Sequence, residues 1–472
     1  YENTIGNLAN TLAGEEACSD DLCSNNHQNW LSLVQNIDAT AGNTYYVVID
    51  GWGGESGEYQ LNINYPMELG QVVVFESQED NDALLKNFTI QNGNAPYGGG
   101  IFLSNYSSPI LQNLTITNNH ANNGGGVAVN NGSSPTLTNV SILNNISSNE
   151  GGGVYVYSED SHVKIRNCTI ENNVSTNQGG GLWSQGATLT VENAIVKNNA
   201  SLSNQGGGFF VENADPLVIN NTEFEFNQGQ GLYINHGKGH RISNVTCSNN
   251  SESGLFSHYT DSYQISNLYS FYNSNGGVYL VGSSPVLSNS IIVNNQGSEP
   301  GIRCQSGSSP MIINCTVANN RFDSNYEENG SEIIAVAESH PFVENSIIWG
   351  SGAQSHSVNL ANWWGGESSI RINHSIVKGD QAGILNNYES GILWGEGNIE
   401  AVQDPLFENS SENNFNLLSS SPAIDRGNPI NYYNDADGTR NDMGFEGGQG
   451  IFLFVRGQDP QTWNGQEIYA TS

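Results

Sequence analysis

The chain has 472 residues, and its 13 Lys or Arg side chains stand against 47 Asp or Glu, for a formal net charge of -34. This balance argues against nucleic acid and anionic membrane surfaces as partners, because both bind a basic face. It fits an extracellular protein that can bind divalent cations, and the sequence contains no apolar run long enough to span a bilayer.

Residues 1–66 differ in pattern from the rest of the chain. Residues 41–63 read as two strands joined by a glycine-rich turn, and Cys18 and Cys23 are close enough in sequence to pair. This region resembles the second half of a β-sandwich of the bacterial pre-peptidase C-terminal type, an accessory module of secreted proteins. A sandwich that lacks strands has an open edge and an uncovered core. We therefore expect that the chain was cut or that another segment completes the module.

One short pattern recurs between residues 67 and 400, most regularly in residues 85–320. It reads Asn-x-Thr-Ile, then Asn-Asn, then a glycine cluster and an apolar triplet, and it returns every 22 to 31 residues. A fixed period in this range indicates a repeat architecture. The first asparagine of each copy, called the marker asparagine below, is Asn87, Asn113, Asn139, Asn167, Asn193, Asn221, Asn244, Asn267, Asn289, Asn314, Asn345 and Asn373.

Alternation of apolar side chains within each copy indicates strands rather than helices. Apolar residues stand two places before the marker asparagine, three places after it and again after the glycines, and only Arg371 interrupts the first of these columns. Each copy is therefore predicted to form about three short strands that wind once around a shared core. Cys168 and Cys247 fall in core columns, where a buried thiol is expected, whereas Cys304 and Cys315 could lie in neighbouring strands.

These asparagine, glycine and isoleucine columns resemble the right-handed parallel β-helix superfamily, the pectate-lyase-like solenoids. The resemblance covers about residues 70–420 and implies an all-β fold, with a solenoid of about 12 to 14 coils in residues 67–400. An asparagine at the same corner of every coil can hydrogen-bond to the asparagines above and below it. Glycine serves a tighter corner, where a positive φ or a close approach is needed.

Residues 401–448 resemble the closing segment of many secreted bacterial β-helix proteins. We expect a C-terminal cap here, because a solenoid must cover its last core layer. An acidic loop within it places oxygen ligands at alternate positions around Gly438, which suits a structural Ca²⁺ ion. The alternative is a hydrogen-bonded Asx turn. The candidate ligands are Asp435, Asp437, Asn441 and Asp442.

A column of aromatic residues is predicted outside the core, between the two inward residues that follow each glycine cluster. Solvated strands seldom expose so much contiguous aromatic area. Rings at this spacing suit sugar faces or the flank of another rod, and the alternative is that a loop or a chain terminus covers them. The candidate binding residues are Phe102, Tyr155, Trp183, Phe210, Tyr233, Phe256 and Tyr279.

The densest group of cations and imidazoles lies in residues 236–241, with His258 one coil later. A polysaccharide lyase of this fold would need a cationic or calcium-filled cleft for the uronate and a base. The alternative is a loop whose charges are solvated. The candidates for such a role are Lys238, His240, Arg241 and His258, in a cluster that begins at His236.

Paired carboxylates, which a glycosidase requires, are not evident in residues 85–320. Glu192 and Glu212, for example, do not share a column with acidic partners. The sequence therefore assigns no catalytic residue.

The uniform columns favour a non-enzymatic extracellular protein, such as a cell-surface adhesin, a matrix component or a filament subunit. Residues 449–472 form a tail whose apolar segment 450–457 could donate a strand to the half-sandwich of the next subunit, giving head-to-tail filaments. Expected partners are further copies of the chain, a polysaccharide or a cell surface. The alternative function is a polysaccharide lyase, or a hydrolase, that acts on an acidic polysaccharide.

Overall fold

The computed structural model describes residues 62–63, 70–322, 331–350, 356–361, 365–386, 391–399 and 403–448. All of them belong to one of the two units into which the chain divides, residues 62–472. The sandwich expected in residues 1–66, except for Asn62–Ile63, and the tail strand expected in residues 449–472 lie outside the described residues. The same is true of Cys18 and Cys23.

The described chain is an all-β parallel solenoid, as the repeat predicts. The residues after the glycine clusters form one parallel sheet of thirteen strands, called the glycine-side sheet, which agrees with the predicted 12 to 14 coils. Its strands are Val73–Phe75, Ile101–Leu103, Val127–Asn130, Val154–Tyr157, Leu182–Gln185, Phe209–Glu212, Leu232–Asn235, Leu255–His258, Val278–Val281, Ile302–Gln305, Ile333–Val336, Val358–Ala361 and Ile384–Asn386.

Two further ladders of parallel strands flank the marker asparagines and together form the largest sheet. The ladder before the markers contains Leu84–Lys86, Ile110–Gln112, Thr136–Thr138, His162–Arg166, Thr188–Glu192, Leu217–Glu225, Arg241–Ser248, Gln264–Phe271, Val286–Ser288, Met311–Ile313, Phe342–Glu344, Ser369–Asn373 and Gly391–Trp394. The ladder after them contains Asn62–Ile63, Thr89–Gln91, Thr115–Thr117, Ser141–Leu143, Thr169–Glu171, Ile195–Lys197, Ile291–Val293, Thr316–Ala318, Ile347–Trp349 and Ile376–Val377, and the three longest strands run through both ladders.

Short elements complete the described coils. A third parallel sheet precedes the first glycine clusters, and it consists of Asn94–Tyr97, His120–Asn123, Ile146–Glu150, Val174–Ser175 and Ala200–Ser201. Gln296–Gly297 pairs with Arg321–Phe322, and Phe407–Asn409 pairs antiparallel with Asn414–Leu417. The described helices are the 3-10 turns Asp380–Gly383, Ser410–Glu412 and Asn431–Tyr433, and none of the described helices has both the length and the apolar character to cross a bilayer.

The core follows the predicted columns, with one shift of register. The inward residues of successive coils stack on one another and are buried, from Ile101 to Ile302 on the glycine side. In the last marked coil Ile372, not Arg371, pairs with Val343. The equivalent of the marker asparagine is therefore His374, whose φ is 41°, and the placement of the twelfth marker at Asn373 was wrong by one residue.

The marker asparagines adopt the expected left-handed conformation, and those of the earlier coils form an exposed ladder, whereas Asn289, Asn314 and Asn345 are buried. Asn113 donates to Oδ1 of Asn87 at 3.1 Å, and Asn221 donates to Oδ1 of Asn193 at 2.7 Å. Their φ angles lie near +50°, a region that asparagine tolerates better than most residues.

A second asparagine ladder, which the sequence analysis did not predict, is fully buried. It uses the second residue of the repeated Asn-Asn pairs, with Asn227 and Asn273 at the same position. Each Nδ2 before the last member, Asn320, donates both to the next Oδ1 in the column and to a backbone carbonyl, as Asn145 does at 3.0 and 2.9 Å. Because every amide is saturated, the ladder avoids the cost of burying unpaired polar groups. Its members are Asn119, Asn145, Asn173, Asn199, Asn227, Asn250, Asn273, Asn295 and Asn320.

The glycine clusters mark a corner where coils approach too closely for a side chain. A Cβ at Gly180 would lie 2.5 Å from the carbonyl oxygen of Ala200 and 2.6 Å from that of Gly207. Both neighbours are backbone atoms and cannot move aside. The predicted steric role of these glycines is confirmed.

Residues 403–448 lie along the outer face of the two asparagine-side ladders. Phe415 packs against the outward residues Val293 and Ala318, and the hydroxyl of Tyr269 donates to the carbonyl of Asn413. Deeper in this contact, Asn428 donates to Oε1 of buried Glu344 at 3.1 Å. This packing explains why the outward positions of these later coils are apolar.

The four described cysteines are buried and free. This confirms the buried thiols expected at Cys168 and Cys247. Cys304 lies in the glycine-side sheet, whereas Cys315 precedes a strand of another ladder. The expectation that these two lie in neighbouring strands is wrong, because both point into the core from different sides of the coil.

Candidate functional site

Three rows of side chains, two on the outer face of the glycine-side sheet and one at the corner that precedes it, are together called the outer strip. The aromatic row occupies the second residue of each strand and the polar row the fourth, and paired registers hold both rows straight. The corner row precedes the glycines and consists of Tyr97, Asn123, Glu150, Gln178 and Gln205. The polar row consists of Asn130, Tyr157, Gln185, Glu212, Asn235, His258, Val281 and Gln305.

The aromatic row brings all seven predicted aromatic residues into one line, with Ala128 between the first two and Arg303 at the end. This line contains Phe102, Ala128, Tyr155, Trp183, Phe210, Tyr233, Phe256, Tyr279 and Arg303. The outward position predicted for these residues is therefore confirmed.

The rings of the aromatic row stack mainly on each other. Tyr155 and Trp183 lie 4.8 Å apart with an angle of 8° between their planes, and Tyr233 lies 4.7 Å from Phe210 and 4.5 Å from Phe256. Tyr155, Trp183 and Phe210 are only 6%, 4% and 2% exposed, because the flanking rows cover them. Stacked in this way, Tyr155 and Trp183 turn ring edges rather than faces outward. The role of the row in binding stays a prediction.

The polar row contains a hydrogen-bonded relay of three side chains. Nδ2 of Asn235 donates to Oε1 of Glu212 at 2.8 Å, and Oδ1 of Asn235 lies 2.8 Å from Nδ1 of His258. Because the carbonyl oxygen of Asn235 faces the ring, Nδ1 carries the proton and Nε2 holds a lone pair. Burial, followed by the charge of His236, lowers the pKa of His258, so the ring is neutral at pH 7.

Glu150 lies on the opposite side of the aromatic row from this relay. Burial raises its pKa, and repulsion from Glu212 raises it further. Glu150 also raises the pKa of Tyr155, where burial is the main cause. The outer strip thus places two carboxyl groups within electrostatic reach of each other, Glu150 in the corner row and Glu212 in the polar row. One of them holds its proton to higher pH than an ordinary glutamate.

The predicted cluster of cations and imidazoles does not form one site. The side chain of Lys238 pairs with Asp215 at 3.2 Å, His240 is buried and accepts a hydrogen bond from the backbone N–H of Leu217, and Arg241 lies on an asparagine-side ladder. Burial lowers the pKa of His240 to about 4, so this ring is a neutral core residue.

Two members of that cluster do meet at the edge of the outer strip. The rings of His236 and His258 lie 5.7 Å apart, edge to face.

The acidic loop of residues 435–442 uses its carboxylates within the loop. Asp437 accepts from the backbone N–H of Thr439 at 2.9 Å, an Asx turn, and Asp435 accepts from the N–H of Asp442 at 3.1 Å. Burial raises the pKa of Asp435 to about 6. Asn441 is buried, and its Oδ1 has no hydrogen-bond partner. Within the described ranges no three His, Cys, Asp or Glu side chains gather as a metal site would require, and calcium binding here stays a prediction.

Sequence reasoning missed Glu150, Glu212 and Asn235 as members of one site. The period-two alternation that located the aromatic row also predicts a second outward position two residues later. Extended by those two residues, the same alternation would have placed Glu212, Asn235 and His258 in one row. The approach of Glu150 depends on how the corner folds, and nothing in the local sequence indicates it.

Comparison with known protein families identifies the fold. A family model described as "Right handed beta helix region" matches residues 72–195 and 188–327, more than half of the chain. No curated protein matches the chain.

Three solved structures resemble the chain at low sequence identity. The A-module of a mannuronan C-5 epimerase from Azotobacter vinelandii is 16% identical, with a TM-score of 0.45 over 69% of this chain and 90% of that one. A periplasmic alginate epimerase is 11% identical, with a TM-score of 0.43 over 67% of this chain and 78% of that one. A pectate lyase is 13% identical, with a TM-score of 0.38 over 80% of this chain and 86% of that one. Likeness at this level concerns the fold alone.

Proposed function

The chain belongs to the right-handed β-helix family, and from that premise we propose that its outer strip binds a polysaccharide chain and cleaves it by acid–base catalysis. A straight strip that runs over successive coils suits a linear polymer, because a regular chain can repeat its contacts from coil to coil. We further propose that the protein acts outside the cell, where its strongly acidic composition keeps it in solution.

The observation that carries this proposal is the carboxyl pair. Glu150 in the corner row and Glu212 in the polar row lie on opposite sides of the aromatic row, two coils apart. Burial raises the pKa of Glu150, and the charge of Glu212 raises it further. Two carboxyl groups whose environments differ in this way are what glycosidic bond hydrolysis needs.

In the proposed reaction, Glu150 is the general acid and Glu212 the general base. Glu150 donates its proton to the glycosidic oxygen as the bond between that oxygen and the anomeric carbon breaks. Glu212 removes a proton from a water molecule, whose oxygen forms the new bond to the anomeric carbon. Asn235 positions Glu212 through the 2.8 Å hydrogen bond.

The test is a reducing-end assay on a panel of linear polysaccharides with the full chain. Glu150→Gln and Glu212→Gln are expected to lower the rate at least ~100-fold, whereas Glu223→Gln, on an exposed glutamate of another ladder, should leave it unchanged. The alkaline limb of the pH profile should lie above that of an ordinary glutamate, because the acid must stay protonated and its pKa is raised. Equal rates for all three variants would refute the assignment.

The second candidate is a non-enzymatic structural protein, such as an adhesin or filament subunit. It is favoured by one observation, the mutual stacking of the aromatic row, which can serve to stiffen the sheet without any ligand. Filament formation by the tail 449–472 remains part of this candidate. Light scattering and negative-stain images of the full chain test it, and a monomer in solution would remove the filament.

A further inference from the structure

We infer that the polysaccharide recognised by the outer strip is an uncharged one. This inference rests on the proposed function and specifies its substrate class. It begins from the distribution of positive charge, since polymers of uronic acids carry a carboxylate on every sugar and are bound through cations. In the thirteen strands of the glycine-side sheet, Arg303 is the only Lys or Arg residue.

Arg303 is already engaged within the protein. Its guanidinium forms an ion pair with Glu299, donates from Nε to Oε1 of Gln305 at 3.2 Å, and lies 5.4 Å from the centre of the Tyr279 ring. The side chain is 2% exposed. A buried arginine with these partners is not presented to a carboxylate on a ligand, because breaking the pair would leave partly buried Glu299 without its counter-charge.

The remaining charges of the strip repel an anionic polymer. Glu212 lies in the polar row and Glu150 in the corner row, and the whole chain carries a formal charge of -34. Glu150 is protonated in the proposed reaction and adds no charge, so the repulsion of a uronate carboxylate near the polar row comes from Glu212. Like charges at short range disfavour such a complex.

A bridging cation would need ligands that the strip does not gather. Three His, Cys, Asp or Glu side chains do not come together anywhere in the part of the chain that the structure describes. Calcium is therefore included as a variable of the test below.

Amide groups supply the recognition that hydroxyl groups require. Oδ1 of Asn130 is buried without a hydrogen-bond partner, and the side-chain amide of Gln185 makes no hydrogen bond with a described residue. These two residues flank Tyr157 in the polar row, and the tyrosine is 52% exposed. An amide both donates and accepts, as a sugar hydroxyl does, so this stretch matches neutral sugars.

The experiment compares polymers that differ only in charge. Linear homopolymers of mannose, glucose and galactose are paired with their C6-oxidised uronate forms, and binding to the full-length Glu150→Gln variant is measured by affinity electrophoresis with and without Ca²⁺. Cleavage by the wild type is measured in parallel. We expect one neutral polymer to bind at least ten-fold more tightly than its oxidised form. The substitution Gln185→Lys should lower the ratio of the affinity for the neutral polymer to the affinity for its oxidised form. Added salt should restore that ratio by screening the new charge.

Each other outcome overturns the inference in a distinct way. Tighter binding of an oxidised polymer, with or without Ca²⁺, refutes the uncharged substrate, and the proposed function survives if cleavage still depends on Glu150 and Glu212. If neither form of any polymer binds or is cleaved, the proposed function and the inference fail together. An unchanged ratio in Gln185→Lys would show that charge at the strip does not select the polymer.

Discussion

Glu332 ends the buried asparagine ladder and makes the stability of the solenoid depend on pH. Its side chain is fully buried, Oε1 accepts the backbone N–H of Asn320 at 3.1 Å, and Oε2 accepts the hydroxyl of Ser331. Burial raises the pKa of this carboxyl group from an ordinary 4.5 to about 8, although both hydrogen bonds and Lys378 act in the opposite direction. The folded protein therefore holds a proton that the unfolded chain releases.

The sign and size of the effect follow from that difference in pKa. Below pH 4.5 the Glu332 carboxyl group is protonated in both the folded and the unfolded state, so its ionisation does not lower the free energy of unfolding. As the pH rises to 8 the unfolded state ionises while the folded state does not, so stability is lost across this window and the loss levels off above pH 8. A difference from 4.5 to about 8, at roughly 1.36 kcal/mol for each pH unit, corresponds to about 5 kcal/mol as an upper value.

The variant Glu332→Gln removes the pH-dependent contribution of Glu332 to stability, because glutamine keeps the acceptor oxygen and cannot ionise. Urea unfolding of wild type and variant is followed at pH 5, 7 and 9, with Glu223→Gln as the control on an exposed glutamate. We expect the variant to gain about 3 to 5 kcal/mol over the wild type between pH 5 and pH 9. A constant difference between the two proteins, or the same gain in the control, would refute the reasoning.

Three further substitutions test the ladders, the glycine corner and the segment of residues 403–448. Asn199→Ala leaves amide groups above and below it unpaired and should lower the free energy of unfolding by about 2 to 4 kcal/mol. Asn193→Gly in the exposed ladder should lower it by less than about 1 kcal/mol. Equal losses of stability would contradict the distinction between the ladders. Gly180→Ala places a Cβ 2.5 Å from a carbonyl oxygen and should lower the free energy of unfolding by about 3 kcal/mol or more. Gly307→Ala, in open space at a φ of 79°, should lower it by about 1 kcal/mol. Thermal unfolding of the two variants measures the difference. His374→Ala leaves buried Glu344 without its 2.8 Å partner and should lower the free energy of unfolding by about 3 kcal/mol. Limited proteolysis should then cut residues 403–448 faster than in the wild type. Equal cleavage rates would show that the His374–Glu344 pair does not hold the segment.

The fold could be predicted from the sequence because each coil repeats the same physical demands. Inward positions must be apolar, the left-handed corner accepts asparagine, and the tight corner accepts only glycine, so columns of identical letters reveal the register. The prediction failed at the twelfth marker because a histidine, His374, fills the left-handed corner there. The neighbouring Asn373 matches the asparagine of the repeat pattern but lies one residue before the left-handed corner.

The site was less predictable because it depends on how rows meet across coils. Alternation gave the outward direction of the aromatic row but not the angle between the rings of Tyr155 and Trp183. Residues 236–241 looked like one cationic cluster because they are close in sequence. In a solenoid, residues that are close in sequence but lie on either side of a turn belong to different faces. Lys238 and Arg241 are on different faces for that reason.

The strap formed by residues 403–448 has a consequence for how this protein can change in evolution. It reaches across the flank of several coils, from Tyr269 to Ile376, so a coil inserted there would pull its anchors apart. In the described coils before Tyr269, each strand of the ladders pairs only with strands of the adjacent coils. Duplication or loss of a whole turn before Tyr269, outside the coils from Glu150 to Glu212, should therefore disturb the packing less than the same change beneath residues 403–448.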